Sequence, residues 1–513
     1  MNKSVRFVQN YMNESATENG AAGYRTTTKA LLDMNFKVSS LRDRSEGYIV
    51  REFMKAFHES PKYAVKWLFF LRDILEGLGE RRTFRICLKY LATSQPKIAK
   101  AVIPYIPVYG RYDDALVLLD TSLASDVASM YKKQLDEDLE SMKKGEPVSL
   151  LAKWLPSINT SSARTRKYAN KICGYFKVSH REYRQTLSKL RAYGNVVETK
   201  MSASDWKEID YGKVPAKANM KYDNAFAKHD IERRSKYLEN VFLGEDGLNA
   251  SGIMPHEIVH RIAGNNLWDM RLKDNLLAEL MWKKIMEEGF ENEWGLEDAI
   301  VVADGSGSMF SYASGSGSVT AIEICNALAI YFAEQLKGVF HNKAITFSEH
   351  PQFIDLKDNT SLKDKLEIMF AYNEVANTNI EAVFDLILDM AKCKSVPREE
   401  LPKQVLVISD MEFDCATGTC DYDQEKLFDT IAKKYDENGY VMPRLIFWNV
   451  CGRTDTIPKV ENGEGLCLLS GFSQNAMKIA TEKTKKDPYE ALISVLDAPR
   501  YQVIEDAISE YVA

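Results

Sequence analysis

Several large protein classes are excluded by what this chain does not contain. Its eight cysteines (Cys87, Cys173, Cys325, Cys393, Cys415, Cys420, Cys451 and Cys467) are scattered through 513 residues without a CxxC pair. A reduced, intracellular protein is expected, not a disulfide framework. No run approaches the roughly 18 apolar residues that cross a membrane, and the opening MNKSVRFVQNYMNES has no apolar core for export. The expectation is a cytoplasmic protein with no membrane partner. No Gly-Lys-Ser/Thr follows a glycine-rich turn, so there is no P-loop. The seven histidines suggest no Ser/His/Asp or Cys/His set. No repeat recurs at a fixed period. The composition that remains is globular, 45% hydrophobic and 27% charged, with length for more than one domain.

Charge divides the chain unevenly. Residues 1–295 carry 47 Lys+Arg against 38 Asp+Glu, while the remainder carries 20 against 35. A basic first part and an acidic second part imply different partners. The extreme is 151–200, with 11 basic and 2 acidic residues. A run this biased points to a polyanion surface more than to a solvated helix face. Its candidates for RNA contact are Lys153, Arg164, Arg166, Lys167, Arg181, Arg184 and Arg191.

The second part is organised around Ile300–Phe310, IVVADGSGSMF. A short β-branched run without alternation suits a strand buried on both faces of a parallel sheet. It ends on Asp304, then turns through Gly305, Ser306, Gly307 and Ser308, and Val319–Leu336 follows with helical spacing. A carboxylate and two hydroxyls thus sit past the C-terminal end of a strand, where open α/β sheets bind ligands. Three hard oxygen donors suit Mg²⁺, with Mn²⁺ or Ca²⁺ as alternatives. Gly305 and Gly307 are expected to permit a tight turn. Thr378 stands at an expected helix start, and Val405-Leu406-Val407-Ile408-Ser409-Asp410 is a second buried run ending on an aspartate. Asp304-x-Ser306-x-Ser308, Thr378 and Asp410 together resemble the metal-ion-dependent adhesion site of von Willebrand factor A domains. That resemblance implies a doubly wound α/β domain with a divalent ion that captures an acidic protein ligand.

The first part reads as helices in series: Tyr63–Leu75, Thr83–Leu91 after a break at Gly77-Leu78-Gly79, then roughly 123–143, 162–176, 180–192, 222–241, 255–263 and 267–289. Residues 1–24 read as polar and irregular. Helices without strand patterns suggest stacked pairs in a HEAT-like solenoid. Arg72-Asp73, Gly77-x-Gly79-Glu80-Arg81-Arg82, Tyr109-Gly110-Arg111-x-Asp113-Asp114 and Ala152-Lys153-Trp154-Leu155-Pro156 resemble the TROVE-type helical repeat of the Ro autoantigen family. Val214-Pro215 and Ala225-Phe226-x-Lys228-His229-Asp230 look closer still to an uncharacterised sister family of the same layout. The resemblance implies a ring of helices over 1–293 that binds small non-coding or structured RNA, as in a ribonucleoprotein. A von Willebrand A domain would follow over 294–513, with strands at 298–304, 343–348, 404–410, 444–450 and 465–469. Helices are expected at Tyr489–Leu496 and Gln502–Val512.

One string argues otherwise. His256-Glu257-Ile258-Val259-His260 matches the HExxH of zinc peptidases, with Glu279 available as a third ligand. Pro255 makes the string an ordinary first helical turn, and a structural role is expected. Asp136-Glu137-Asp138 and Glu287-Glu288 read as solvated faces, and Trp67, Phe69 and Phe70 as core. The reading is therefore a non-enzymatic RNA-binding scaffold of α plus α/β class, carrying a divalent-metal site. Its rivals are a metal-dependent protein-recruitment module without RNA and a zinc peptidase.

Overall fold

The apolar runs pair into one sheet, as their burial on both faces requires. The computed structural model describes residues 13–16, 22–264, 272–291, 299–313, 317–372, 380–411, 424–451, 457–458, 466–479 and 487–512. In chain order its strands are β1 (Glu14–Ala16), β2 (Ala22–Tyr24), β3 (Ala299–Ala303), β4 (Lys343–Thr346), β5 (Phe353–Asp355), β6 (Gln404–Ser409), β7 (Arg444–Asn449), β8 (Ile457–Pro458) and β9 (Leu466–Ser470). The main sheet has the order β5-β4-β3-β6-β7-β9, with β5 antiparallel at one edge and the others parallel. β1, β2 and β8 form a second, small sheet. Two strands therefore lie within residues 1–24, read from sequence as irregular; they are three residues long, too short for a periodic signal.

Contacts group the chain into two interleaved units, Met1–Ser45 with Ile253–Val495 and Glu46–Gly252 with Leu496–Ala513. Sequence reading placed a single cut at 293/294. Local packing explains the exchange. Phe36 lies in the same buried cluster as Ile300, Val302, Ile345 and Val407. Ser39 donates its hydroxyl to the Asn449 carbonyl (2.9 Å) and accepts from the Gly471 amide (3.0 Å).

The helical unit contains α1 (Glu46–Glu59), α2 (Pro61–Arg72), α3 (Arg82–Ser94), α4 (Pro96–Val102), α5 (Ala124–Lys144), α6 (Ala163–Phe176), α7 (His180–Tyr193), α8 (Ala216–His229) and α9 (Ile231–Leu243). Its C-terminal helix, Pro499–Ile508, returns from the far end of the chain. Ser60 caps α2 ahead of Pro61, and Trp67, Phe69 and Phe70 are fully buried, as expected of core. Lys66, also fully buried, reaches Asp497 (2.8 Å) and Glu505 (2.6 Å). Arg500 clasps Asp73, which also accepts from the Tyr501 hydroxyl (3.1 Å).

Two expectations fail here. The helix expected over 222–241 breaks at Asp230, whose φ of −149° leaves the helical region and whose carboxylate accepts from Tyr211 (2.9 Å) and Arg233 (2.9 Å). Asp138 is not part of a solvated face. It is 3% exposed and accepts from the amide (2.9 Å) and hydroxyl (2.7 Å) of Ser149.

In the α/β unit, α10 (Pro255–Ala263) and α11 (Leu276–Glu291) precede β3. The helices α12 (Ala321–Ala333), α13 (Leu362–Ala371), α14 (Ile380–Cys393), α15 (Gln424–Glu437) and α16 (Pro488–Leu496) alternate with or follow the remaining strands along the chain. Every residue of α12 is buried, because it packs against β3 on one side and α10 on the other. Residues 267–271 of the expected 267–289 helix lie outside the described residues, and α11 begins at Leu276. No described helix is long and apolar enough to cross a membrane.

Candidate functional site

Parallel register decides what meets at the sheet edge. Ala303 of β3 pairs with Ile408 of β6, and the Asp304 amide donates to the Ile408 carbonyl (3.2 Å). Both strands thus deliver their next acidic residue, Asp304 and Asp410, to the same C-terminal edge. Asp304 is 3% exposed and Asp410 is fully buried.

The Asp304 carboxylate accepts from the Ser306 amide (2.9 Å) and from the Ser409 hydroxyl (2.6 Å). The Ser306 and Ser308 hydroxyls lie 3.0 Å apart. Burial, and then the charge of Asp410, push the Asp304 carboxyl up to about 6. Hydrogen bonds from Ser409 and Ser306 oppose that rise without cancelling it. Gly305 and Gly307 are expected to permit a tight turn, and they do so without positive φ. The left-handed residue is Met411 (φ 63°), directly after Asp410. A buried methionine in that region is uncommon, and its amide donates to the Ser409 hydroxyl (3.0 Å), which fixes the exit of β6.

Four of the five expected donors are thereby placed at or next to one sheet edge. Thr378 lies outside the described residues, as do Cys415 and Cys420. Ser409 was not singled out from sequence. Its signal was a hydroxyl within an otherwise apolar strand, one residue before the aspartate. All hard oxygen donors, two of them carboxylate-bearing, fit Mg²⁺, Mn²⁺ or Ca²⁺.

The HExxH string forms α10, and its side chains face different partners. Glu257 accepts from the Met254 amide and caps its own helix (2.9 Å). His256 packs edge-on against Phe472, 5.5 Å between ring centres. The Nδ1 of His260 meets Glu323 (2.7 Å) and its Nε2 meets Ser318 (3.2 Å). Glu279 caps α13 through the amides of Leu362 (2.9 Å) and Lys363 (3.1 Å). Among the described residues no group of three His, Cys, Asp or Glu is disposed to hold a metal. The described cysteines Cys87, Cys173, Cys325, Cys393, Cys451 and Cys467 are free thiols.

The seven basic candidates divide by role. Arg191 is half-buried and grips the carbonyls of Ala152 (2.8 Å) and Leu155 (2.9 Å). Lys153 meets Glu198 (3.5 Å). Arg166 closes the turn before α6 through the carbonyls of Thr160 and Ser161. Lys167 pairs with Asp120 (2.9 Å), whose carboxyl is held down at about 2 by Lys171 and Lys167. Arg164 lies over Tyr168. Arg181 and Arg184, one helical turn apart on α7, are exposed and make no hydrogen bond or ion pair among the described residues.

These features define an α plus α/β protein with an oxygen-lined site at the strand ends of its α/β unit. Residues 17–108 and 162–292 match the model of a family described as a domain of unknown function, DUF2828. Residues 298–505 match a second domain of unknown function, DUF7788. The chain is also similar to an uncharacterised protein of Acanthamoeba polyphaga mimivirus. The two are 28% identical over 522 aligned positions, covering 94% of this chain and 87% of the viral protein.

Proposed function

We propose that this protein is a non-enzymatic binding scaffold. Its α/β unit, read as a von Willebrand factor A type, binds a divalent cation through Asp304, Ser306, Ser308, Thr378 and Asp410. The observation that carries this reading is the buried pair Asp304 and Asp410, ending adjacent parallel strands beside two hydroxyls 3.0 Å apart. Asp304 has a hydroxyl and an amide as partners, and its raised carboxyl reports negative charge for which a cation is the natural complement. When bound, Mg²⁺ or a related ion supplies an electrophilic position for an acidic group of a partner protein. Asp304 and Asp410 would hold the ion and offset its two charges, while the neutral hydroxyls of Ser306 and Ser308 would leave it electrophilic towards an acidic ligand.

A second reading concerns the helical unit, taken as a HEAT-like, TROVE-type repeat that holds RNA. It is supported by Arg181 and Arg184, exposed on α7 without partners among the described residues, within the 151–200 stretch of 11 basic and 2 acidic residues. Such side chains contact phosphates and make binding salt-dependent.

Melting the full chain after chelation, with and without added Mg²⁺ or Mn²⁺, tests the cation reading. Saturation at a hundredfold excess over the dissociation constant should add about 2.7 kcal/mol, and Asp304→Ala should abolish the gain. An unmoved wild-type melting temperature in both metals sinks the proposal.

A further inference from the structure

Three of the strings that carry the Ro resemblance meet in one charge network of the helical unit, and the cation site does not use it. Asp114 is fully buried. It accepts from Arg72 Nε (2.7 Å), from Arg85 Nε (2.7 Å) and from the Arg111 amide (2.9 Å). Asp113 accepts from Arg85 Nη2 (2.8 Å) and from Arg111 Nε (2.9 Å) and Nη2 (2.8 Å). All four carboxylate oxygens are thus taken by three arginines. Gly110 is required at this spot, because a Cβ there would lie 2.6 Å from an Asp114 oxygen and 2.9 Å from Arg72 Nε.

A fourth guanidinium is left over. Arg81, the residue before α3, is exposed and makes no side-chain hydrogen bond or ion pair among the described residues. Its carbonyl accepts from the Arg85 amide (3.1 Å), so the Arg81 and Arg85 side chains leave one helical turn. Partial desolvation, then the like charges of Arg111 and Arg85, push its guanidinium below the usual arginine range. Three guanidiniums on two carboxylates leave one positive charge over, and Arg81 adds a guanidinium at the surface. The Arg111 guanidinium also lies 3.8 Å from the centre of the Trp154 ring, and Lys153 lies over the same ring. The segment bearing Lys153 and Trp154 is held to α7 by Arg191. The surplus is thus joined, through packed side chains, to the helix that presents Arg181 and Arg184.

We infer that Arg81, backed by Arg85 and Arg111, forms a phosphate-binding site that takes a backbone phosphodiester of RNA. Guanidinium forks match phosphate oxygens in geometry and charge. An anion here compensates the Arg81 charge that Asp113 and Asp114, already occupied by Arg72, Arg85 and Arg111, leave unmet. The inference rests on the RNA reading of the helical unit and adds a contact outside its 151–200 stretch.

The test uses the full chain and a labelled, unstructured single-stranded RNA titrated at several salt concentrations. Arg81→Gln should weaken binding by roughly fivefold at low salt and lower the salt slope by about 0.7, the contribution of one phosphate contact to a single strand. Its melting temperature should stay at the wild-type value, since Arg81 holds no side-chain partner among the described residues, and Arg81→Lys should restore part of the affinity. If Arg181→Glu with Arg184→Glu weakens RNA binding while Arg81→Gln binds as wild type, the Arg81 site is wrong and the RNA reading stands. If the wild type binds no RNA, the RNA reading falls and pyrophosphate decides the site. Stabilisation of the wild type but not of Arg81→Gln retains an anion site for small phosphates, and no stabilisation overturns it.

Discussion

Asp114 in the helical unit and Asp304 in the α/β unit are both buried aspartates, yet their surroundings have opposite sign. Around Asp114 and Asp113 the chain supplies four guanidiniums, one more than the carboxylate oxygens bind. Around Asp304 it supplies amides, hydroxyls and a second buried carboxylate. Burying a charge is costly unless it is paired, so each arrangement leaves a defined imbalance. Asp114 thus sits among surplus guanidiniums, whereas Asp304 has no basic partner among the described residues, which parallels the basic first part and acidic second part of the chain.

The comparison breaks most visibly at Asp114. Asp114→Ala would leave Arg72, 2% exposed, without its carboxylate. Removing one partner of a buried ion pair costs about 3–5 kcal/mol, and Arg85 would lose one of its two acceptors as well. Chemical denaturation of the full chain should show a loss of that size in the transition that involves the helical unit. A loss below 1 kcal/mol, about the value of a surface pair, would show that Arg72 is rehydrated and the network is peripheral.

Where sequence reading succeeded or failed has physical reasons. The strands β3, β6, β7 and β9 were legible because burial on both faces writes an uninterrupted apolar run. β5 was missed: three residues at a sheet edge carry no such run. Asp304 and Asp410 could be brought together from sequence because two runs ending on aspartate, paired in parallel, must deliver them to one edge. Ser409 and the left-handed Met411 could not, since their roles arise only when β6 is registered against β3. The placement of Phe36 and Ser39 in the α/β unit rests on partners such as Ile300, Asn449 and Gly471, hundreds of residues away in the chain. A count of basic residues also hides pairing. It weighs Arg191, spent on two carbonyls, the same as Arg184, which is free among the described residues.

A change of the same kind should have the opposite effect at Asp304. In chelated protein at pH 7, Asp304→Asn removes a charge that burial and Asp410 disfavour, keeping a side chain that can still accept from Ser306. Holding the carboxyl at about 6 against an ordinary 3.8 corresponds to about 2–3 kcal/mol at neutral pH. The metal-free variant should therefore be more stable than metal-free wild type by up to about 2 kcal/mol. Added Mg²⁺ should reverse the order, because the variant gains nothing from it. A metal-free variant less stable than wild type would mean that the Asp304 charge is already compensated within the fold.

The smallest effect is expected where an acid in the α/β unit does have a cationic partner. Glu323 is fully buried. One of its oxygens accepts from the Thr320 amide (2.6 Å) and hydroxyl (3.0 Å), closing the N-terminal cap of α12, and the other meets His260 Nδ1 (2.7 Å). His260 Nε2 lies against Ser318, in the loop that leads from the Asp304 turn to α12. Hydrogen bonding to Glu323 raises the His260 imidazole above its ordinary 6.5 despite burial. For a base raised in the folded state, the linked stability is fully present below the unfolded value and is lost as pH rises through the folded one. Wild type should thus lose stability on going from pH 6 towards pH 8, and His260→Gln should flatten that slope to the small part left by Asp304 while costing about 1–2 kcal/mol at pH 6, as expected for a hydrogen bond to a charged group. The measurement is denaturant midpoint against pH for the two chelated proteins. Parallel profiles would show that His260 is neutral in the folded protein and that Glu323 is held by its cap alone.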